Sequence, residues 1–389
     1  MKICVFTATR AEYGLFYWLL KGLKADSRTE LSIVASGTHL SSEHGMTVSE
    51  IESDGFVVDA KIEMLLSSDT SVGVVKSMGL GMIGYADELN RIAPDCVVVL
   101  GDRYETLAFA QAALLMKLPI VHIHGGEITE GAYDDMIRHS LTKMASLHFC
   151  AMDEHRNRII QMGEQPCSVY RVGALGLDNI LKTELPSLTE VEGFLGFDLT
   201  GRYVVVTYHP VTMAEEPPVE SFKAMMDALL GSFEDLKIVV THPNADDGGH
   251  SIMSHIQDYV TANPSRVVSV ASLGFRRYLS TVKYSQAVVG NSSSGVIEVP
   301  SLGVPTVNIG ERQRGRTCAN SVIHCSATRD AVSKALSVAF SGEFQSLCED
   351  VVNPYGDGGA VEKILPILLN TMLTRTKPFY NIDIGMNHE

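Results

Sequence analysis

The length, composition and charge of the chain exclude several classes of protein. Its 389 residues are more than one ordinary hydrophobic core contains, so two domains are expected. A content of 45% hydrophobic and 20% charged residues is typical of a globular protein. A formal net charge of −15 disfavours nucleic acid as a partner, although a small anionic ligand needs only a few local cations. Seven scattered cysteines, never in a C-x-x-C pair, argue against a disulfide framework or a zinc ribbon.

The N-terminus gives no sign of export or membrane insertion. No run of about 18 apolar residues occurs, and the start MKICVFTATR carries an arginine where a signal peptide has apolar residues. We therefore predict a cytoplasmic protein with no membrane partner.

Short β-branched runs alternate with helical stretches along the chain. Because the predicted strands are continuously apolar, they indicate parallel sheets covered by helices on both faces, the doubly wound α/β class. We predict an N-terminal domain over residues 1–178, a C-terminal domain over 179–370 ending in a helix near 359–373, and a tail over 371–389 that packs back on the first domain. Strands are predicted near 2–7, 31–36, 96–101, 119–124, 203–208, 237–241, 267–271, 286–290 and 305–309.

The sequence GLGMIG at 79–84 matches the dinucleotide pattern G-x-G-x-x-G. That pattern binds a nucleotide where it closes the first strand of a βαβ unit and opens a helix. Here it lies within a predicted long helix, so it indicates close helix packing, and no cofactor is predicted.

The run VVVLGDRYET ends a predicted strand and places Asp102, Arg103 and Glu105 at its carboxyl end. Open α/β sheets bind their ligands at this edge. The alternative is that Asp102 caps the following helix, a frequent role of aspartate.

The stretch HIHGGEITEGAYDDMIRHS, residues 122–140, is rich in titratable side chains. Two residues apart on a strand, His122 and His124 are expected on one face. A zinc site would need further ligands at a recognisable spacing, and since none is visible we predict no metal. Asp134 either pairs with Arg138 on a capped helix or projects into a cleft as an acid or base.

In the second half, QAVVG leads into NSSSGVIEVPSLGVP, which predicts a strand, a tight turn and a helix N-terminus. Backbone N–H groups and serine hydroxyls in such a turn suit a phosphate, and Glu298 could accept hydrogen bonds from a ribose diol. Helix capping by Asn291 or Ser292 is the alternative. We expect the strand ends at 208–210 and 241–244, and the run Arg312-x-Arg314-x-Arg316, to meet at the same edge.

Taken together, the spaced motifs resemble the hydrolysing UDP-N-acetylglucosamine 2-epimerases, particularly the bacterial branch that supplies sialic and legionaminic acid synthesis. The motifs are TATRAEYG (7–14), SGTHL (36–40), LGDRYE (100–105), HIHGGE with DDMIRHS, TYHPVT (207–212), PNADDG (243–248) and GNSSSGVIEVPSLGVPTVNIGERQRGR (290–316). The resemblance implies two Rossmann-like domains of the glycosyltransferase-B type. It also implies a UDP-sugar bound between them, release of UDP by elimination to a glycal, and rehydration to an N-acetylmannosamine-type sugar.

The resemblance also implies roles for individual residues. Asp102 and Asp134 resemble the catalytic carboxylates of the family. His124 stands where many relatives have glutamate, so His124 or Glu127 is expected to take over the proton transfer of that group. The implied substrate-binding residues are Arg10, His39, Arg103, His209, Asn244, Ser292, Ser293, Glu298 and Arg312.

Several alternatives remain open at this stage. The sugar could instead be 2,4-diacetamido-2,4,6-trideoxyglucose, the precursor type of legionaminic acid. A retaining glycosyltransferase would need an acceptor for turnover, and a UDP-sugar sensor would bind without turnover. By analogy with other two-domain proteins of this kind we expect a homodimer.

Overall fold

A computed structural model describes residues 1–68, 70–130, 132–210, 218–243 and 249–382. Its strands form two separate sheets, of seven and six strands, in which every pairing is parallel. The strands of the first sheet are β1 (Lys2–Thr7), β2 (Glu30–Ser36), β3 (Ala60–Ile62), β4 (Cys96–Leu100), β5 (Ile120–Ile123), β6 (Leu147–Cys150) and β7 (Val169–Arg171). Those of the second are β8 (Tyr203–Thr207), β9 (Lys237–Thr241), β10 (Val267–Val270), β11 (Ala287–Gly290), β12 (Thr306–Ile309) and β13 (Val322–Cys325).

Helices cover the faces of both sheets. No helix in the described ranges combines the length and apolar character that a membrane crossing requires. The helices of the first half are α1 (Arg10–Ala25), α2 (Val48–Ser53), α3 (Ser71–Ile92), α4 (Tyr104–Leu115), α5 (Asp134–Met144), α6 (Asp153–Gln161), α7 (Gly176–Lys182) and α8 (Leu188–Leu195). The second half contributes α9 (Pro218–Ser232), α10 (Gly249–Ala262), α11 (Gly274–Lys283), α12 (Ser294–Ile297), α13 (Arg329–Ala339), α14 (Gly342–Glu349) and α15 (Ala360–Asn370).

The strand orders explain where a ligand can bind. The first sheet runs β3-β2-β1-β4-β5-β6-β7 and the second β10-β9-β8-β11-β12-β13, so in each the chain changes direction beside its first strand. Ligands of open parallel sheets bind at this switch, outside the carboxyl ends of the strands. The two-domain α/β fold predicted from the sequence is thereby confirmed.

The nine predicted strands are confirmed to within one residue at each end, but four strands were missed. β3 and β7 have only three residues each, too few for a periodic pattern. In β6 and β13, His148 and His324 interrupt short apolar runs.

The GLGMIG motif lies in the middle of α3, as predicted. A Cβ atom at Gly84 would come within 2.6 Å of Ile62 Cγ2 on β3. The glycine therefore allows close packing of this helix on the sheet.

Helix α15 and the described part of the tail, up to residue 382, pack on the first domain. Ile364 and Leu368 of α15 are fully buried in the core cluster that contains Leu20 of α1. Further on, Tyr380 N donates to Gly163 O at 2.8 Å, and Lys377 Nζ lies 2.6 Å from the buried Glu164 carboxylate. The limits 1–178 and 179–370 remain predictions.

Glu164 joins this tail to α5. It accepts hydrogen bonds from Lys377 of the tail, from Lys143 of α5 and from His148 of β6. Burial alone would raise the pKa of Glu164, but these three donors outweigh it and lower the pKa to about 2. Glu164 therefore contributes its full stabilisation at a pH above 4.5, the ordinary pKa of glutamate. This contribution is lost as the pH falls towards 2.

We expect Glu164→Gln to lower the free energy of unfolding by about 2 kcal/mol at pH 7, because two lysines lose their common counter-ion. Thermal melts of both proteins at pH 7 and pH 3.5 measure this, and the difference should shrink at the lower pH. Glu88→Gln, which removes the exposed partner of Arg91, is the control without an expected effect. An equal difference at both pH values would contradict the assignment.

Candidate active site

At the carboxyl end of β4, Asp102 pairs with a buried cation. Its Oδ2 atom accepts a hydrogen bond from Arg138 Nη2 of α5, and Arg138 is only 1% exposed. Arg138 Nη1 also donates to the carbonyl of Glu127 at 3.0 Å. The alternative that Asp102 caps α4 is wrong, because Arg103 is the N-cap residue of that helix. The Arg103 guanidinium contacts Glu105 instead, at 3.2 Å.

The two histidines of the next strand have different environments. His122 Nε2 lies 2.8 Å from Gly101 O, and burial lowers the pKa of His122 to about 3, so the neutral ring donates to that carbonyl. For His124 the expectation of continued strand alternation is wrong. β5 ends at Ile123, and His124 has a φ of 65°, in the left-handed region.

Both ring nitrogens of His124 have a polar neighbour, the Leu175 amide on one side and the Glu127 carboxylate on the other. Leu175 N donates to His124 Nε2 at 3.3 Å, so in the neutral ring the proton is on Nδ1. His124 Nδ1 lies 3.3 Å from Glu127 Oε1. The proton-bearing nitrogen therefore faces a carboxylate, an arrangement suited to proton transfer.

Of the two alternatives for Asp134, the pair with Arg138 is not formed in the first turn of α5. Asp135 accepts a hydrogen bond from Thr129 N at 2.6 Å, and Arg138 pairs with Asp102. Asp134 Oδ2 instead lies 3.7 Å from Arg312 Nη2, which belongs to the second domain. Asp134 thus faces the interdomain cleft.

The loop after β12 contributes three arginines that each meet a carboxylate of the first domain. Besides Arg312, Arg314 lies 3.1 Å from Glu130, and Arg316 lies 3.0 Å from Glu127. The Arg314 pair is mostly exposed and adds little stability. The Arg316 and Glu127 side chains are only 6% and 3% exposed. Burial would raise the pKa of Glu127, but Arg316, with His124, outweighs it and lowers the pKa to about 2.

The serine turn after β11 is held by Asn291. Asn291 Oδ1 accepts from His209 N at 2.7 Å, its Nδ2 donates to His209 O at 2.8 Å, and its carbonyl accepts from Arg312 Nη1 at 3.1 Å. Gly290 has a φ of 136°, and a Cβ atom there would collide with Thr207 O. The capping alternative is wrong for Asn291, because Ser293 is the N-cap residue of α12.

A cavity of about 210 Å³ lies between the two domains. The second domain lines it with the serine turn and with Arg312, and α1 contributes Arg10, whose Nη2 donates to His242 O at 2.9 Å. Burial raises the pKa of Glu298 to about 7. A Cβ atom at Gly176 would collide with the Glu298 carboxylate, so α7 and Glu298 are in close contact.

The predicted site residues fall into three groups. Glu298, Arg10, His209, Ser292, Ser293 and Arg312 line the cavity. Asp134 reaches it through Arg312, whereas Asp102, His124 and Glu127 lie beyond it around Arg138 and Arg316. The remaining residues do not line the cavity: Arg103 lies 3.2 Å from Glu105, and His39 is buried between Thr7 and Thr47, at 3.0 and 2.8 Å. Asn244 lies outside the described residues.

Sequence reasoning missed three residues of this region. Arg138 was considered as a partner of Asp134 and was not paired with Asp102, although it is the buried cation beside that carboxylate. Tyr278 of α11 and Asn179 of α7 also line the cavity. Neither stands in a strand-end motif, so no local signal could have identified them.

Comparison with known proteins identifies the family of the chain. The family model described as UDP-N-acetylglucosamine 2-epimerase matches residues 21–369. A GDP/UDP-N,N'-diacetylbacillosamine 2-epimerase (hydrolyzing) of Campylobacter jejuni is 38% identical over 322 residues, 83% of each chain. Polysialic acid biosynthesis protein P7 of Escherichia coli is 35% identical over 389 residues, 98% of this chain and 97% of the relative.

Solved structures show the same fold. The UDP-GlcNAc 2-epimerase of Neisseria meningitidis bound to UDP-GlcNAc superposes with a TM-score of 0.78 at 17% identity, covering 95% of this chain and 100% of the other. The glycosyltransferase-B type of two-domain fold predicted from the sequence is confirmed by this likeness. With a family model matching nearly the whole length and a relative 38% identical, the chain belongs to the UDP-N-acetylglucosamine 2-epimerase family, in its hydrolysing branch.

Proposed function

We propose that this hydrolysing UDP-sugar 2-epimerase converts UDP-N-acetylglucosamine and water to N-acetylmannosamine and UDP, and so supplies nonulosonic acid synthesis. The observation that carries the proposal is the cavity between the domains. On one side it has the serine turn and Arg312, which suit a diphosphate, and Arg312 also contacts the carboxylate of Asp134 on the other side.

The geometry supports an elimination followed by a hydration. Inversion at C2 requires that its C–H bond break, and GLGMIG, within α3, is not a nicotinamide-binding turn. A carboxylate takes the C2 proton, the C1–O bond to the diphosphate breaks, and the electron pair of the C–H bond forms the C1=C2 bond of the glycal. Water then adds its hydroxyl to C1, while C2 receives a proton on the opposite face.

The charged groups divide between these two steps. Arg312 and the serine turn neutralise the charge that develops on the departing UDP. Asp134, next to Arg312, is our candidate for the base at C2. Asp102 is positioned by its ion pair with Arg138. The third proton-transfer position belongs to His124 or Glu127, which contact each other.

Two kinds of sugar have support among the relatives. UDP-N-acetylglucosamine is the ligand named for the Neisseria meningitidis structure, and the Escherichia coli relative that spans almost the whole chain is named for polysialic acid synthesis. The Campylobacter jejuni relative is named for a diacetylated bacillosamine, which favours UDP-2,4-diacetamido-2,4,6-trideoxyglucose as the second candidate.

Purified protein incubated with each UDP-sugar separately decides between them. We expect free UDP and N-acetylmannosamine from UDP-N-acetylglucosamine with no added acceptor, detected by coupled UDP assay and by NMR of the sugar. Release from the diacetamido sugar alone would transfer the activity to the second candidate. If UDP appears from neither sugar, both substrates are discarded, and turnover only with an acceptor would indicate a glycosyltransferase.

Glu298 makes the affinity for UDP dependent on pH. If its carboxylate accepts hydrogen bonds from the ribose diol, protonation below its pKa of about 7 competes with UDP. We expect the Kd for UDP to rise about tenfold between pH 8 and pH 6 by this linkage. Calorimetric titration of wild type and Glu298→Gln across this range isolates the effect, since UDP titrates equally with both. Identical pH dependence in the two proteins would contradict the role of Glu298.

A further inference from the structure

Tyr355 is linked to His124 through the backbone of residues 174 and 175, although no sequence motif identified it. Its backbone is fixed on both sides, because its amide donates to Asn353 Oδ1 at 3.0 Å and its carbonyl accepts from Ala174 N at 3.1 Å. The next amide, that of Leu175, donates to His124 Nε2. Consecutive amides of one segment therefore hold Tyr355 and His124.

The ring of Tyr355 lies close to His155, a residue that also packs against the backbone before Glu127. Its centroid lies 6.0 Å from that of His155 on α6. A Cβ atom at Gly126 would collide with the His155 carbonyl, so the backbone immediately before Glu127 packs on the same residue. Burial raises the pKa of the Tyr355 phenol, and the nearby charge of Glu127 adds to this increase.

Three polar groups here have unmet hydrogen-bonding capacity. Tyr355 is 0% exposed, and its hydroxyl has no hydrogen-bond partner among the described residues. Among the residues that the structure describes, Glu127 Oε1 and the Nε and Nη1 atoms of Arg316 also lack a partner of hydrogen-bond geometry. A buried hydroxyl without a partner costs about 1–3 kcal/mol, and phenylalanine would fill the same apolar surroundings without that cost.

We propose that Tyr355 is a positioning residue for the reaction, a role that rests on the proposed function. Its hydroxyl donates a hydrogen bond to Glu127 Oε1 in the working enzyme, while Arg316 holds Oε2. Fixed at both oxygens, the carboxylate keeps one orientation beside His124 Nδ1, and the proton transfer of this pair has one geometry. Other ionisable groups around Glu127 come from the neighbouring elements: His122, Cys150, His155 and Glu298.

Tyr355→Phe tests the proposal because it removes the hydroxyl and keeps the ring. We expect kcat to fall about tenfold, the value of one hydrogen bond to a charged group, with KM and the Kd for UDP unchanged. The fraction of glycal released without hydration should rise. The matched control is Tyr203→Phe, which removes a buried hydroxyl that donates to Thr281 O at 2.8 Å in the second domain. It should change the melting temperature and leave kcat as in wild type.

A double-mutant cycle with Glu127→Gln makes the test independent of any loss of stability. If Tyr355 acts through Glu127, the double variant has about the same kcat as Glu127→Gln alone. A further tenfold loss in the double variant would overturn the proposal, as would an unchanged kcat in Tyr355→Phe or an effect on KM alone. Turnover by wild type separates these outcomes from failure of the proposed function, which predicts UDP release before any variant is made.

Discussion

Replacing Asp134 by asparagine is expected to lower kcat at least about 100-fold, because the amide cannot accept the C2 proton. The isosteric side chain still fills its place 3.7 Å from Arg312, so the serine turn and Arg312 remain available to the diphosphate. The Kd for UDP should therefore stay within a few-fold of wild type. Steady-state UDP release and calorimetric binding of UDP measure the two quantities.

Asp135→Asn is the matched control for this variant. Asp135 occupies the next position on α5, where the same substitution keeps an oxygen to accept from Thr129 N. Because Asp135 takes no part in the proposed proton transfer, its variant should retain most of the activity. If both variants lose activity equally, the effect comes from disturbance of the helix start, and if Asp134→Asn keeps its kcat, another group is the base.

Replacing Asp102 by alanine is expected to destabilise the protein as well as inactivate it. The substitution removes the principal counter-ion of Arg138, and this loss is costly because Arg138 is only 1% exposed. The loss should be about 3 kcal/mol in the free energy of unfolding, at the low end for a broken buried pair because Arg138 keeps the Glu127 carbonyl and lies 3.6 Å from Asp135. Urea denaturation of wild type and variant measures it.

Removing the arginine as well distinguishes this cause from a packing defect. The double variant Asp102→Ala with Arg138→Met has no buried charge to compensate, so part of the lost stability should return. Asp235→Asn, in the exposed pair with Arg202, provides a control in which stability is expected to stay unchanged. A double variant less stable than Asp102→Ala would show that Arg138 stabilises through its packing.

Local patterns were sufficient for much of this protein. Continuous apolar runs predicted nine strands of the two sheets, and the strand-end motifs identified six residues that line one cavity. Both depend on short-range rules: a parallel strand buried on two faces is apolar throughout, and its carboxyl end leads into a binding loop. Three-residue edge strands such as β3 escaped because so short a segment has no period.

Pairing across the domains could not be predicted from these patterns. The sequence places three arginines at alternate positions after β12, but only the folded chain assigns Arg312 to Asp134 and Arg316 to Glu127. The left-handed backbone of His124 and the position of Tyr355 beside His155 are likewise products of the tertiary structure. The sequence by itself determined nine strands, their binding edges and the motifs that identify the family, because each strand and each motif is encoded within one segment. Which charges meet in the cleft depended on how segments up to about 190 residues apart pack together, since a charge acts on whatever the fold brings near it.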